Sequence, residues 1–404
     1  MYALAGIAQH YAWGSETVLP AFLGRPADGQ PWAELWLGSH PAGPAVVLDA
    51  GLTGTTLGEA IARRPRHILG EMVLARFGPQ LPFLLKLIAP DQPLSLQVHP
   101  GLDRAREQFA AEEAAGVPLD SPFRNYKDPN HKPELLYALT DFEAVCGFRT
   151  PRRAAEIVTG LGMAVTDRIA ALLLATPTAN GMRAAFNSLI APHLAPSPDV
   201  VAQVAASCAA RRAAGHSPSP RTDAIVEHLQ RHHPGDPGVV AALLLNPVTL
   251  RPGEAIYVPP GDVHAYMSGL GVEIMAASDN VLRAGLTVKQ VDPDEMLANV
   301  SGAAAPPMRI AGEKVSPHTE VFYAPVDDFE LSVTTLEDHG DPFRPDVLLP
   351  GTGPRILLAL EGDIIAATAY GQKRLRVGDA VFVAADEGRL HVGGHGRLVQ
   401  ATVP

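Results

Sequence analysis

Gln97 and His99 stand two residues apart in the segment LSLQVHP (94–100). Successive side chains on a β-strand alternate between faces, so both are expected on one face. The segment NHKPELL (130–136) sets Lys132 and Glu134 two apart in the same way, and His131 between them is expected to face away and to cap a turn. In PPGDVHAY (259–266), a Pro/Gly turn would aim His264 from a loop towards the mouth of a barrel. Two imidazoles, a carboxylate and an amide oxygen suit a borderline divalent ion such as zinc. The chain has only Cys146 and Cys208, so a zinc site here must use nitrogen and oxygen ligands.

Three kinds of element would hold these residues. PFLLKLIAP (82–90), LSLQVHP (94–100) and PELLYALTDFEAVCGF (133–148) are short, apolar and bounded by turn residues, which predicts strands. Helical patterns interrupt them at about 57–76 and about 101–115. From about 151 to 233, RRAAEIVTGLG, VTDRIAALLLA, DVVAQVAASCAARRAA and TDAIVEHLQRHH repeat apolar residues every three or four positions and predict amphipathic helices. Strand signals return over 239–278 in VVAALLL, EAIYVPP and VEIMAAS, and from about 325 the chain is again short strands. A weak internal repeat relates 253–264 to 378–389: a Gly-acid pair, four mostly apolar residues, then a turn. The second copy has lost the proline, glycine and histidine of the first, which suggests two related β-barrels of which one holds metal.

A chain of 404 residues is long enough for two or three domains, and its 47% apolar share supports a large core. No apolar run approaches the roughly 18–20 residues that span a bilayer. The first residues lack a basic stretch followed by an apolar one, so no signal peptide is expected. Two cysteines fit a reducing cytoplasm. The net charge of −11, without a basic run, argues against nucleic acid as a partner. An anionic substrate would therefore need a local positive patch against an unfavourable overall field. Arginine outnumbers lysine 26 to 6, yet Lys86, Lys127, Lys132 and Lys289 fall in or beside the chemically dense segments.

In order along the chain, YAWGS (11–15), WAELWLGSHP (32–41), LPFLLKLI (81–88), PLSLQVHP (93–100), YKDPNHKPEL (126–135), PPGDVHAY (259–266) and GVEIMAASDNVLRAGLTVK (271–289) resemble the type I mannose-6-phosphate isomerases. The resemblance covers nearly the whole chain and is weak in the C-terminal third. Gly253-x5-Pro259-x-Gly261-x-x-His264 also looks like the second histidine motif of cupins, with Ser268 where many cupins have asparagine. The resemblance implies one zinc per chain, held by Gln97, His99, Glu134 and His264. It matches Arg283 to the arginine near the reacting sugar, and Ser95, Lys132, Glu273 and Lys289 to polar residues of the same pocket. Glu273 and Lys132 are candidates for proton transfer, Ser95 and Lys289 for substrate binding. The implied fold is mainly β: a discontinuous cupin (jelly-roll) barrel from 1–150 and 236–325, a helical insertion over 151–235, and a metal-free cupin-like barrel over 326–404. The implied reaction interconverts mannose 6-phosphate and fructose 6-phosphate in the cytoplasm, by a monomer with neither nucleic-acid nor membrane partners. The alternative is a non-catalytic metal-binding cupin that senses a sugar phosphate. A cupin oxygenase fits less well, since such sites favour two or three histidines with iron.

Overall fold

A computed structural model describes residues 1–49, 51, 53–337 and 346–404. The chain is mainly β-sheet with helical parts, and its three sheets are antiparallel. A seven-stranded sheet runs in the order Met308–Ile310, Ala255–Val258, Glu134–Ala138, Gly271–Ala276, Phe83–Ile88, Glu34–Leu37 and Ile7–Gln9. A five-stranded sheet has the order Leu282–Gly285, Leu96–Val98, His264–Ser268, Phe142–Phe148 and Leu245–Leu250.

The alternation of strand side chains assigns each face of these sheets. Leu85, Leu87, Leu135, Tyr137, Val272 and Ile274 share a core with Phe322, Leu331, Ile356, Phe382 and Val399 of the third sheet. Their neighbours Ile88, Leu136, Ala138 and Ile256 pack instead against Phe142, Ala144, Cys146 and Val248 of the five-stranded sheet. The other face of that sheet, including Leu96, Val98, Val145 and Ala265, packs on helices of the 151–232 region. The molecule is thus layered as helices, five-stranded sheet, seven-stranded sheet and third sheet. Lys86, Glu134 and Glu273 fall on the alternate positions that face between the two smaller sheets, and Gln97 fills the same phase opposite them.

The third, ten-stranded sheet draws on both ends of the chain. Tyr2–Ala5 pairs with Ala380–Val383 on one side and Val46–Val47 on the other. Glu313–Lys314 and Thr319–Phe322 join it before residue 326. Gly253 and Gly378 both have positive φ, 91° and 84°, at matching places two residues before a strand.

Five helices of eight or more residues occupy the 151–232 region: Pro151–Val158, Ala164–Ala175, Ala179–Ile190, Pro198–Ala213 and Pro220–His232. The third falls between the periodic segments named above, within the stretch expected to be helical, and Thr178 caps it by accepting from the Gly181 N–H at 3.3 Å. The pattern at 57–76 is two helices, Leu57–Arg63 and Pro65–Phe77, because Pro65 supplies no N–H to continue the first. VVAALLL (239–245) is not a strand as expected. It forms a short helix, Gly238–Ala241, and a 3₁₀ turn, Ala242–Leu244. These residues are apolar throughout and fully buried, so burial gives no periodicity by which strand and helix differ.

Candidate active site

Glu134 begins its strand after Pro133 and is 3% exposed, between the two smaller sheets. His99, just past Leu96–Val98, brings Nε2 to 3.1 Å from Glu134 Oε1. His264, first in its strand after the PPGDV turn, brings Nε2 to 3.4 Å from Glu134 Oε2. Ligand atoms of these three residues all lie within 4.8 Å of one another. Each imidazole is held at its other nitrogen: His99 Nδ1–H donates to the Asn280 carbonyl at 2.8 Å and His264 Nδ1–H to the Asp262 carbonyl at 3.1 Å. This arrangement leaves Nε2 of both rings as the inward-facing lone pair, the form a metal takes.

Gln97 pairs in register with His264 on one side and Arg283 on the other. Paired residues present their side chains to one face about 5 Å apart, so Gln97 flanks His264 and Arg283 flanks Gln97. The Gln97 amide N–H donates to Ser95 Oγ at 3.4 Å, which leaves its oxygen as the free end. Lys132 Nζ is 3.3 Å from Glu134 Oε1, and the Tyr266 hydroxyl donates to Oε2 at 3.2 Å.

Across the seven-stranded sheet, Glu273 pairs with Lys86, and the Lys86 Nζ is 3.2 Å from Glu273 Oε2 and 3.6 Å from Glu34 Oε1. The Trp36 indole N–H donates to Glu34 Oε2 at 2.7 Å, and Lys86 Nζ lies 5.1 Å from the centre of the Trp36 ring. Arg283 is half-buried and forms no ion pair within 4.0 Å among the described residues. Lys289 is exposed, and its ammonium feels partial burial first and then the Arg283 charge.

Charge in this layer is strongly coupled. Burial would favour a protonated Glu134, but His99, Lys132 and His264 outweigh it and hold the carboxyl well below its ordinary range. Burial and the Glu134 carboxylate push Glu273 up to about 7, against the pull of Lys86. Burial works against the Lys86 ammonium, yet Glu34, Glu273 and Glu134 keep its pKa raised. Burial and Lys132 push the His99 imidazole down to about 4, so it is neutral near pH 7. For His264 burial acts in the same direction, but the adjacent Glu134 carboxylate, which favours the charged imidazolium, prevails and raises it.

Whether a metal fits can be read from one atom. His99 Nε2 is buried and has no hydrogen-bond partner, although Glu134 Oε1 is close. Buried polar atoms rarely go unpartnered. A divalent cation between the two imidazoles and the carboxylate would use that lone pair, and the donor set of His99, Glu134 and His264, with Gln97 beside them, matches borderline metals.

Residues 1–151 match the family model for the phosphomannose isomerase type I catalytic domain. The mannose-6-phosphate isomerase of Escherichia coli (strain K12) is 38% identical over 403 residues, with 99% of each chain covered. This chain belongs to the type I phosphomannose isomerases. The human mannose-6-phosphate isomerase is 31% identical, covering 96% of this chain and 94% of its own. Among solved structures, a phosphomannose isomerase mutant from Salmonella typhimurium superposes with a TM-score of 0.89 at 34% identity, covering 100% of this chain and 99% of its own. A zinc-bound mannose 6-phosphate isomerase gives 0.87 at 35%, with the same coverage.

Eight of the nine expected residues lie on or beside the layer between the two sheets, whereas Lys289 is exposed and feels the charges of Arg283 and Asp279. Lys86, Glu34, Trp36 and Tyr266 share this buried layer and have no role that sequence spacing assigns. Lys86 carries the one available signal, a scarce lysine inside an otherwise apolar strand.

Proposed function

We propose that the protein interconverts mannose 6-phosphate and fructose 6-phosphate, with one zinc held by Gln97, His99, Glu134 and His264. The carrying observation is the buried convergence of His99, Glu134 and His264 facing the Glu273–Lys86 pair. Isomerisation moves a proton between carbon 2 of the aldose and carbon 1 of the ketose through an enediol. Glu273, with its carboxyl near 7, is suited to take the proton from one carbon and return it to the other. Lys86 balances the charge that Glu273 gains and loses. Lys132, bound to Glu134, is placed to exchange protons with the sugar oxygens. A bound zinc supplies Lewis acidity towards those oxygens and fixes their orientation. Arg283, which forms no ion pair among the described residues, and Lys289 supply the cations that an anionic sugar requires, and Ser95 adds a hydroxyl.

We also read the two smaller sheets as one cupin barrel from 1–150 and 236–325, less the strands lent to the ten-stranded sheet. Residues 151–235 are a helical insertion, and 326–404 form the frame of a second, metal-free barrel. The setting we propose is cytoplasmic and monomeric, which sedimentation of purified protein tests. For the activity, a coupled assay with mannose 6-phosphate is compared before and after chelation and zinc return. Turnover that is lost and then restored supports this reading, and turnover indifferent to chelation overturns it.

A further inference from the structure

Asn280 lies between the strands Gly271–Ala276 and Leu282–Gly285, where the chain passes from the seven-stranded to the five-stranded sheet. Its side chain is fully buried, at 0% exposed. What it holds is mainly backbone, with one further bond from Nδ2 to Asp128 Oδ1 at 3.3 Å. Its Oδ1 accepts from the Lys127 N–H at 2.7 Å and the Asp128 N–H at 3.3 Å. Its Nδ2 donates to the Asp128 carbonyl at 2.7 Å and the Asn130 carbonyl at 2.8 Å. Both ends of the amide are thus used on the loop that runs directly into Lys132 and Glu134. The backbone carbonyl of the same residue accepts the His99 Nδ1–H at 2.8 Å. Ser278 closes the arrangement: its Oγ accepts from the Asn280 N–H at 3.2 Å and donates to the Asn130 carbonyl at 3.3 Å.

One residue therefore fixes two things with two different groups. The carbonyl sets the tautomer and ring orientation of His99, on the five-stranded side. The amide sets the path of 127–130, and so the position of Glu134, on the seven-stranded side. We infer that Asn280 is a positioning residue that sets the spacing between the metal-ligand segments of His99 and Glu134. This rests on the metal-dependent isomerase reading above. Partners that orient metal ligands without touching the metal are typically worth about 10–100-fold in affinity or activity.

Asn280→Ala removes all five side-chain bonds. Asn280→Asp keeps the shape and one acceptor but turns the donating end into an oxygen facing the Asp128 and Asn130 carbonyls. Zinc affinity is measured by chelator competition, kcat and KM by coupled assay, and amide exchange of Lys127 and Asp128 in metal-free protein. The expected result is a loss of about 10–100-fold in zinc affinity for both variants, with Asn280→Asp at least as impaired as Asn280→Ala. At saturating zinc, kcat should fall more than KM rises, because Arg283 and Lys289 are untouched, and both amides should exchange faster. Two results would overturn the inference. One is zinc affinity and kcat within about twofold of wild type in both variants; the other is a near-wild-type Asn280→Asp beside an impaired Asn280→Ala, which marks a space-filling role. If either variant does not fold, Ser278→Ala gives the same readouts with a smaller expected loss, and unchanged affinity there also counts against it. Failure of the isomerase reading is separate: wild type would then show no turnover, while affinity and exchange would still respond to Asn280.

Discussion

The segments at 253–264 and 378–389 repeat one piece of backbone with opposite charge at its centre. In the first, Ala255 pairs with Tyr137 and the Gly253 N–H donates to the Ala138 carbonyl at 2.9 Å. In the second, Ala380 pairs with Leu358 and the Gly378 N–H donates to the Ala359 carbonyl, again at 2.9 Å. The last strand residue of the first copy, Val258, pairs with Glu134; its counterpart Val383 pairs with Arg355. Where one sheet buries the carboxylate that gathers two imidazoles, the other buries a guanidinium that is 0% exposed and bonds to the Gly351 and Gly388 carbonyls. Burial pushes that arginine down to about 10, with Glu387 opposing. The same frame therefore buries a carboxylate at this paired position in one sheet and a guanidinium in the other.

Glu134→Ala attacks the comparison at its strongest point. It should remove bound metal, read by elemental analysis, and lower turnover by at least about a thousandfold, since a site with few ligands has none to spare. Arg389→Ala and His391→Ala, in the second copy, should change neither. Glu273→Gln comes next, with an expected fall of about 10²–10⁴ in kcat, the range for a general acid–base group. The wild-type pH profile carries the same information. A carboxyl at about 7 is protonated below that value, so base catalysis should rise with pH up to about 7 and level off above it. The Gln variant should lose that acid limb.

Arg283→Ala should reduce kcat/KM for mannose 6-phosphate by about 10–100-fold while zinc is retained. That range is one charge-assisted contact of about 1.5–3 kcal/mol, at about 1.4 kcal/mol per decade. Unphosphorylated mannose should show little difference between wild type and this variant. The smallest effect belongs to Arg355→Met. It leaves two carbonyls without their donor and should cost stability of about 1–3 kcal/mol in denaturant titration, with activity unchanged.

The residues of the candidate metal site were legible because each comes with a local signature: strand spacing for Gln97 and His99, a proline-led strand for Glu134, a Pro/Gly turn for His264. The charge balance around it was not. Glu34 and Glu273 meet at Lys86 from strands that lie far apart in sequence, and nothing local to either announces the other. The hold of Asn280 on His99 spans 181 positions and uses a carbonyl, which any residue could offer. The β character and most of the helices followed from periodicity. The failure was at VVAALLL, where complete burial erases period.

The strand Tyr2–Ala5 has a consequence for how the chain is made. It leaves the ribosome long before its partner Ala380–Val383. At about 5–20 residues per second, roughly 20–75 s separate the two. During that interval one edge of Tyr2–Ala5 has no native partner, and that pairing of the ten-stranded sheet cannot form until Ala380–Val383 has been made. This pairing is therefore set by a long loop closure and not by the rapid zippering of neighbouring hairpins.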